Sequence, residues 1–171
     1  MSSISQLRRI LGTCRTIAVV GLSPQWHRPS FFAAKYMQAH GYRIVPVNPM
    51  AQEILGERCF PSVTAAAQAL RDQGATIDMV DCFRRGEDIP PIAQEAIAIG
   101  AKCLWLQLGV INEAAAAQAR EAGLEVVMDR CVKIEHARLF GGLNWAMASF
   151  FGEGIFSRAA AAGGARRSRG C

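Results

Sequence analysis

The 171-residue sequence lacks several patterns that would assign a function directly. Its six cysteines include no C-x-x-C pair and do not cluster with the three histidines, which favours a reducing compartment over a disulfide scaffold or a zinc site. No apolar run is long enough to span a bilayer, and the N-terminus has no signal-peptide core. We therefore expect a cytoplasmic protein with no bound metal and no membrane partner.

Charged residues are also sparse, at 19% of the chain, and the net charge of +5 is unevenly distributed. Residues 152–171 contain four arginines and one glutamate, which accounts for +3 of the +5. Because a specific nucleic-acid surface is a concentrated basic patch on the folded part, we do not expect a nucleic-acid partner. The sequence predicts a folded domain over residues 1–151 and a flexible basic tail over residues 152–171.

Short apolar runs alternate with helix-length segments along the predicted domain. The apolar runs are typical of strands buried on both faces of a parallel sheet, and they lie at 16–21, 42–48, 77–83, 103–108 and 124–128. Helices are predicted at 3–13, 30–40, 63–73, 89–99 and 112–122. Ser30 and Asn112 are the expected N-caps, and glycines follow the ends of four helices. This alternation predicts an α/β protein with a doubly wound, parallel five-stranded sheet in a three-layer sandwich.

The most informative segment is GLSPQWHRPS at 21–30, which follows the first predicted strand and opens onto a helix. Backbone N–H groups and the positive end of the helix dipole converge in such a turn, so the segment predicts a phosphate-binding site. Only the first glycine of the dinucleotide motif G-x-G-x-x-G is present, and the second strand ends at Asn48 without the acid that holds the ribose of NAD. No Walker lysine follows the loop. The pattern indicates a nucleotide-like ligand other than an ordinary nicotinamide cofactor.

Three side chains of this segment are candidate phosphate ligands. Arg28 lies two residues before Ser30, where its planar guanidinium can bind two phosphate oxygens, or it can simply be solvated. Pro29 would restrict the backbone conformation just before the predicted helix without removing a backbone N–H that is needed as a hydrogen-bond donor. Ser23 can donate to a phosphate or close the turn, and the residues alone leave both interpretations open.

With these loops in view, the chain resembles the CoA-binding protein family. That family is related to the CoA-binding domain of the succinyl-CoA synthetase alpha subunit and of acyl-CoA synthetases. The resemblance covers residues 5–139 and rests on segments in order at the strand ends: GLSPQWHRPS at 21–30, PVNP at 46–49, LGERCFP at 55–61, VDCFRR at 80–85, WLQLG at 105–109 and MDRCVKIEH at 128–136. It implies a Rossmann-like fold that binds coenzyme A.

The resemblance also implies a role for each matching residue. The pyrophosphate would be held by the first loop, through Gly21, Ser23, Arg28, Pro29 and Ser30, and Leu22 of the same loop would also belong to the binding site. Asn48 and Pro49 would line the adenosine side, while Phe83 and Arg84 would cover the ligand from the third strand. Gln107 and Gly109 would lie along the pantetheine arm. Arg84 and Arg85 can also supply positive charge for the extra ribose phosphate of coenzyme A, or they can simply lie in a solvated turn.

Cys131 follows the fifth predicted strand and resembles the cysteine after the corresponding strand of acyl-CoA synthetases. Its loop should face the ligand crevice near the thiol end of coenzyme A, and Arg130 and Lys133 beside it would favour a thiolate. A mixed disulfide between coenzyme A and Cys131 is therefore chemically reasonable. The alternative is a buried or spectator thiol.

No catalytic constellation accompanies these loops. The sequence shows no Ser–His–Asp order, paired carboxylates or metal cluster, and we assign no catalytic residue. The synthetases add a domain with a phosphorylated histidine and a nucleotide-grasp module, which we do not find here. We expect a stand-alone protein that binds coenzyme A or an acyl-CoA, as a carrier, sensor or thiol-redox partner without ligase activity of its own.

Two alternatives remain at this point. The first is a subunit of an acyl-CoA-processing enzyme that needs a partner chain. The second, against which the incomplete glycine motif argues, is an NAD(P)-binding regulator or reductase. The sequence leaves open whether the chain forms a homo-oligomer.

Overall fold

The computed structural model describes residues 2–141, and their centre is one parallel sheet. In chain order the strands are β1 (Thr16–Val20), β2 (Arg43–Val47), β3 (Glu53–Ile54), β4 (Glu57–Arg58), β5 (Met79–Cys82), β6 (Cys103–Leu106) and β7 (Glu125–Val127). Five of them form the sheet in the order β2-β1-β5-β6-β7, and all neighbouring pairs are parallel. Strands β3 and β4 form a separate antiparallel pair. The predicted α/β class with a parallel five-stranded, Rossmann-like sheet is confirmed.

In the described part of the chain, one helix precedes the sheet, four connect its strands and one follows it. They are α1 (Ile4–Thr13), α2 (Pro29–Ala39), α3 (Val63–Arg71), α4 (Ile89–Ala98), α5 (Glu113–Glu121) and α6 (Val132–Phe140), with a short 3-10 turn at Gly86–Asp88. None of the helices within residues 2–141 is long and apolar enough to cross a membrane. Of the described residues, 2–136 belong to one compact unit. The predicted domain end at residue 151 and the basic tail at 152–171 lie outside the described residues.

The sheet is covered on both faces. Alternate strand residues, among them Ala18, Val80 and Leu104, form one apolar cluster with buried residues of α3, α4 and α5. The residues between them along the strands, such as Ile17, Met79 and Trp105, are also buried but do not belong to that cluster. Because side chains of a strand alternate between its faces, a second layer must cover the opposite face, which gives the predicted three-layer sandwich.

The predicted N-cap of α2 is wrong. The helix begins at Pro29 with Arg28 at the cap position, because a proline at the first helical position sacrifices no hydrogen bond and already has a helical φ. Ser30 is therefore inside the first turn, where it is buried. The other predicted cap is confirmed, since Asn112 Oδ1 accepts a hydrogen bond from the Ala115 N–H at 2.9 Å.

The hairpin of β3 and β4 is a feature that the sequence patterns did not reveal. Its strands are two residues long, and its turn places both Leu55 and Gly56 at positive φ, 57° and 75°. Two such residues in succession are typical of the hairpin turn usually marked by Asn-Gly, so a leucine there gives no signal. The hairpin leads to Phe60, whose carbonyl accepts the Asn48 N–H at 2.9 Å. It thereby carries the chain back to the end of β2.

A backbone contact joins the loops that follow β5 and β6. A Cβ on Gly86 would overlap the carbonyl oxygen of Ile111, and Asn112 Nδ2 donates to the Gly86 carbonyl at 2.8 Å. The position therefore requires glycine for space rather than for an unusual φ.

We expect Gly86→Ala to destabilise the protein by about 1–3 kcal/mol, because backbone of one loop must move away from the other. Gly12→Ala is the matched control, since Gly12 lies exposed in α1 and a Cβ added to it would have no neighbouring atom within 4 Å. It should be neutral or stabilise by up to about 1 kcal/mol. Urea unfolding of both variants measures the difference, and equal stabilities would contradict the contact.

Candidate functional site

The strand order reverses between β1 and β5, and a crevice at this point is the usual ligand site of open α/β sheets. The loops after β1 and β5 meet there. Gly21 has a φ of 81°, and a Cβ on it would lie 2.6 Å from the Phe83 carbonyl oxygen. Both observations require glycine, so the single glycine of the 21–30 segment allows the first loop to lie directly against the end of β5.

Two cavities open beside this contact, and Gly21 and Ser23 line both of them. The first cavity has a volume of about 440 Å³ and extends toward the end of β2, where Asn48 and Pro49 line it. The second has a volume of about 670 Å³ and extends toward the end of β6, where Gln107 lines it. Because the two share the first loop, an elongated ligand can lie across that loop with one end in each cavity.

Most of the predicted ligand-binding residues come together in these cavities. Of the thirteen, eleven line one or both: Gly21, Ser23, Arg28, Pro29, Ser30, Asn48, Pro49, Phe83, Arg84, Gln107 and Cys131. The other two, Leu22 and Gly109, line neither. Leu22 is fully buried, and the backbone N–H of Gly109 donates to Asp129 Oδ1 at 2.7 Å. Both therefore act on the shape of the loops.

Two polar side chains around the first loop form hydrogen bonds that fix the position of the loop. Ser30 Oγ accepts the Ser23 N–H at 3.1 Å. Asn48 Nδ2 donates to the Leu22 carbonyl at 2.9 Å, while Asn48 Oδ1 accepts the Met50 N–H at 2.8 Å. Ser30 thus holds the first loop to the start of α2, and Asn48 fixes the loops after β1 and β2 relative to each other.

Two arginines supply positive charge to the cavities. Arg28 lines the second cavity and is exposed, with its Nε donating to Gln25 Oε1 at 3.1 Å. Arg84 is the cationic residue that lines the first cavity, together with three acidic residues, and within residues 2–141 it has no ion pair. Arg85 is instead paired with Glu87 at 3.2 Å. Of the two arginines predicted for the ribose phosphate, Arg84 is the one at the cavity.

The second cavity combines an apolar wall with a thiol. Phe83, Leu108, Val110 and Ile134 line it together with Cys131. Cys131 is partly exposed, whereas the other cysteines in the described part of the chain, Cys14, Cys59, Cys82 and Cys103, are buried. Arg130 Nη1 binds Glu135 Oε1 at 2.9 Å, so this guanidinium, which was expected to favour the Cys131 thiolate, is engaged by a carboxylate.

Asp81 is a buried carboxyl that sequence reasoning missed. It lies within β5 and is 2% exposed, and Gln107 Nε2 donates to its Oδ1 at 2.8 Å. Burial raises the pKa of Asp81 to about 7, although the hydrogen bond from Gln107 opposes this shift. The only sequence signal was its place as one of two acids within the predicted apolar strand at 77–83.

Comparisons with known proteins identify the family and the fold of the chain. The family model described as a CoA binding domain matches residues 15–137. The uncharacterized protein YneT of Bacillus subtilis (strain 168) is 39% identical over 135 residues, which are 79% of this chain and 95% of YneT.

Solved structures show the same fold. A hypothetical protein from Pyrococcus horikoshii OT3 is 38% identical, with a TM-score of 0.75 over 82% of this chain and 94% of that chain. The dinucleotide-forming acetyl-coenzyme A synthetase 1 of Ca. Korarchaeum cryptofilum has a TM-score of 0.58 at 19% identity, over 72% of this chain and 28% of its own. This last likeness establishes a shared fold.

The raised pKa of Asp81 makes a prediction about stability. The ordinary pKa of this carboxyl is 3.8 and its pKa in the folded protein is about 7. At a pH between these values Asp81 is ionised in the unfolded chain and protonated in the folded protein, so its ionisation opposes folding increasingly as the pH rises. As the pH rises from 5 to 8, we expect the free energy of unfolding of Asp81→Asn to increase by about 2–3 kcal/mol relative to that of the parent protein. Urea unfolding at the two pH values measures this change, and a pH-independent difference would contradict it.

Proposed function

The chain belongs to the CoA binding domain family, and we propose that its crevice binds coenzyme A or an acyl-CoA. The observation that carries this proposal is the pair of cavities joined at Gly21 and Ser23. Coenzyme A has a nucleotide at one end, a pyrophosphate near the middle and a long arm ending in a thiol. This layout matches two cavities separated by a phosphate-binding loop.

In the proposed complex the pyrophosphate lies over the first loop, at the start of α2. Helix N-termini attract anions through their backbone N–H groups and their dipole. Arg28 occupies the N-cap position of α2, and its side chain makes no hydrogen bond that caps the helix. Arg28 also lines the second cavity. Its guanidinium would bind phosphate oxygens.

The nucleotide occupies the first cavity and the arm the second. Arg84 in the first cavity would pair with the ribose phosphate that distinguishes coenzyme A from NAD. The apolar wall of the second cavity, with Phe83 and Val110, suits the hydrocarbon parts of the arm. The thiol would then end near Cys131. We propose a carrier, sensor or thiol-redox role for the bound coenzyme A, with no ligase activity in this domain alone.

Coenzyme A affinity should depend on the two cavity arginines. We expect Arg28→Ala and Arg84→Ala each to weaken binding about tenfold, because each removes a charge-assisted hydrogen bond to a phosphate. Isothermal titration calorimetry with coenzyme A measures the change.

Arg8→Ala is the matched control, since Arg8 is an exposed arginine of α1 that lines neither cavity. Its affinity should equal that of the parent protein. Unchanged binding in both cavity variants would refute the placement of the phosphates. A parent protein that ignores coenzyme A but binds NAD would refute the proposed ligand.

The position of Cys131 predicts selective reaction with coenzyme A disulfide. The Cys131 thiolate attacks one sulfur, the disulfide breaks, a Cys131–coenzyme A disulfide forms and the second coenzyme A leaves as a thiolate. We expect modification of Cys131 before any other cysteine, since burial raises the pKa of the Cys82 and Cys103 thiols well above the ordinary value.

Peptide mapping under non-reducing conditions identifies the modified residue. Cys131→Ser should abolish the early adduct, and dithiothreitol should release coenzyme A from the parent protein. Earlier modification of Cys171, which lies outside the described residues, would show that simple exposure governs the reaction.

A further inference from the structure

We propose that Asp81 is a positioning residue for the ligand arm, an inference that rests on the function proposed above. It orients the side-chain amide of Gln107 so that the amide oxygen faces the second cavity and accepts a hydrogen bond from an N–H group of the ligand. The site would therefore select ligands whose arm carries an amide N–H, as the pantetheine arm of coenzyme A does.

The sheet register brings Asp81 and Gln107 together. Asp81 of β5 is paired with Trp105 of β6, and Gln107 follows two residues later, on the same side of the chain. Gln107 Nε2 donates to Asp81 Oδ1 at 2.8 Å, and both residues are almost fully buried, with exposures of 3% and 2%. The pair lies at the floor of the crevice, since Gln107 also lines the second cavity.

The remaining atoms of the Gln107 amide show which group faces the ligand. Its Oε1 forms no hydrogen bond with any described residue. Every fully buried side-chain nitrogen or oxygen in residues 2–141 has a partner, so this oxygen is not fully buried. Because Gln107 lines the second cavity, its unpartnered oxygen is the polar group that it offers to a ligand there.

A carboxylate is well suited to set this orientation. Above its pKa of about 7 the Asp81 carboxyl is ionised and only accepts hydrogen bonds, so the amide nitrogen of Gln107 must turn toward it and the amide oxygen must turn away. An apolar residue at position 81 would leave the amide free to present either its oxygen or its nitrogen to the cavity. Within residues 2–141 no cation forms an ion pair with Asp81. The side chain that binds its carboxyl is Gln107, through the hydrogen bond from Nε2.

The experiment compares coenzyme A with a ligand that lacks the arm, adenosine 3′-phosphate 5′-diphosphate. We expect Asp81→Leu to weaken coenzyme A binding about three- to tenfold, the value of one hydrogen bond, and to leave binding of the armless ligand unchanged. Asp81→Asn should restore coenzyme A binding to near the parent value, because its amide oxygen can accept the same bond from Gln107. Calorimetric titration of each variant with both ligands at pH 8, where the Asp81 carboxyl of the parent protein is ionised, measures these effects.

A double variant shows whether Asp81 acts through Gln107. Gln107→Leu should weaken coenzyme A binding as much as Asp81→Leu, and the double variant should bind like Gln107→Leu alone. Additive losses, or equal losses for the two ligands, would overturn the proposed role, since a general disturbance of the crevice would explain them. Unchanged affinity in Asp81→Leu would overturn it as well.

The same titrations separate this inference from the proposed function. A parent protein that binds neither ligand contradicts the proposed function itself. A parent protein that binds coenzyme A, with an Asp81→Leu variant of the same affinity, contradicts only the role of Asp81.

Discussion

The close approach of the β1–α2 loop to the end of β5 is the constraint on which the candidate site depends. It exists because residue 21 has no side chain, since a Cβ there would lie 2.6 Å from the Phe83 carbonyl oxygen. Because the loop lies this close to the end of β5, space remains on both sides of it, and the two cavities share Gly21 and Ser23. A bulkier residue would lift the loop and change both cavities together.

The rest of the loop is held by side chains rather than by further glycines. In the dinucleotide motif the second glycine lets the backbone approach the pyrophosphate, and the third allows close packing of helix on strand. Here Ser30 Oγ holds the Ser23 N–H, and Asn48 holds the Leu22 carbonyl from the neighbouring strand end. These bonds occupy the Ser23 N–H and the Leu22 carbonyl, so side chains position this loop where the dinucleotide motif relies on glycines.

The sequence predicted the elements of the sheet well because buried parallel strands are nearly continuous apolar runs. Features that depend on one backbone conformation were harder, as the Leu55–Gly56 turn and the start of α2 at Pro29 show. The crevice residues were found through motifs at strand ends, whereas the Asp81–Gln107 pair was not. Those residues are 26 apart in sequence, and their contact follows only from the register of β5 on β6.

The same pair shows how stability and binding oppose each other in this fold. Burial without a cationic partner disfavours an ionised carboxyl, which is why the pKa of Asp81 is raised to about 7. An apolar residue of similar size would remove that cost, but it would also leave the Gln107 amide nitrogen without its acceptor. A buried acceptor at this position therefore acts through Gln107, which contacts Asp81 with one end of its amide and lines the second cavity.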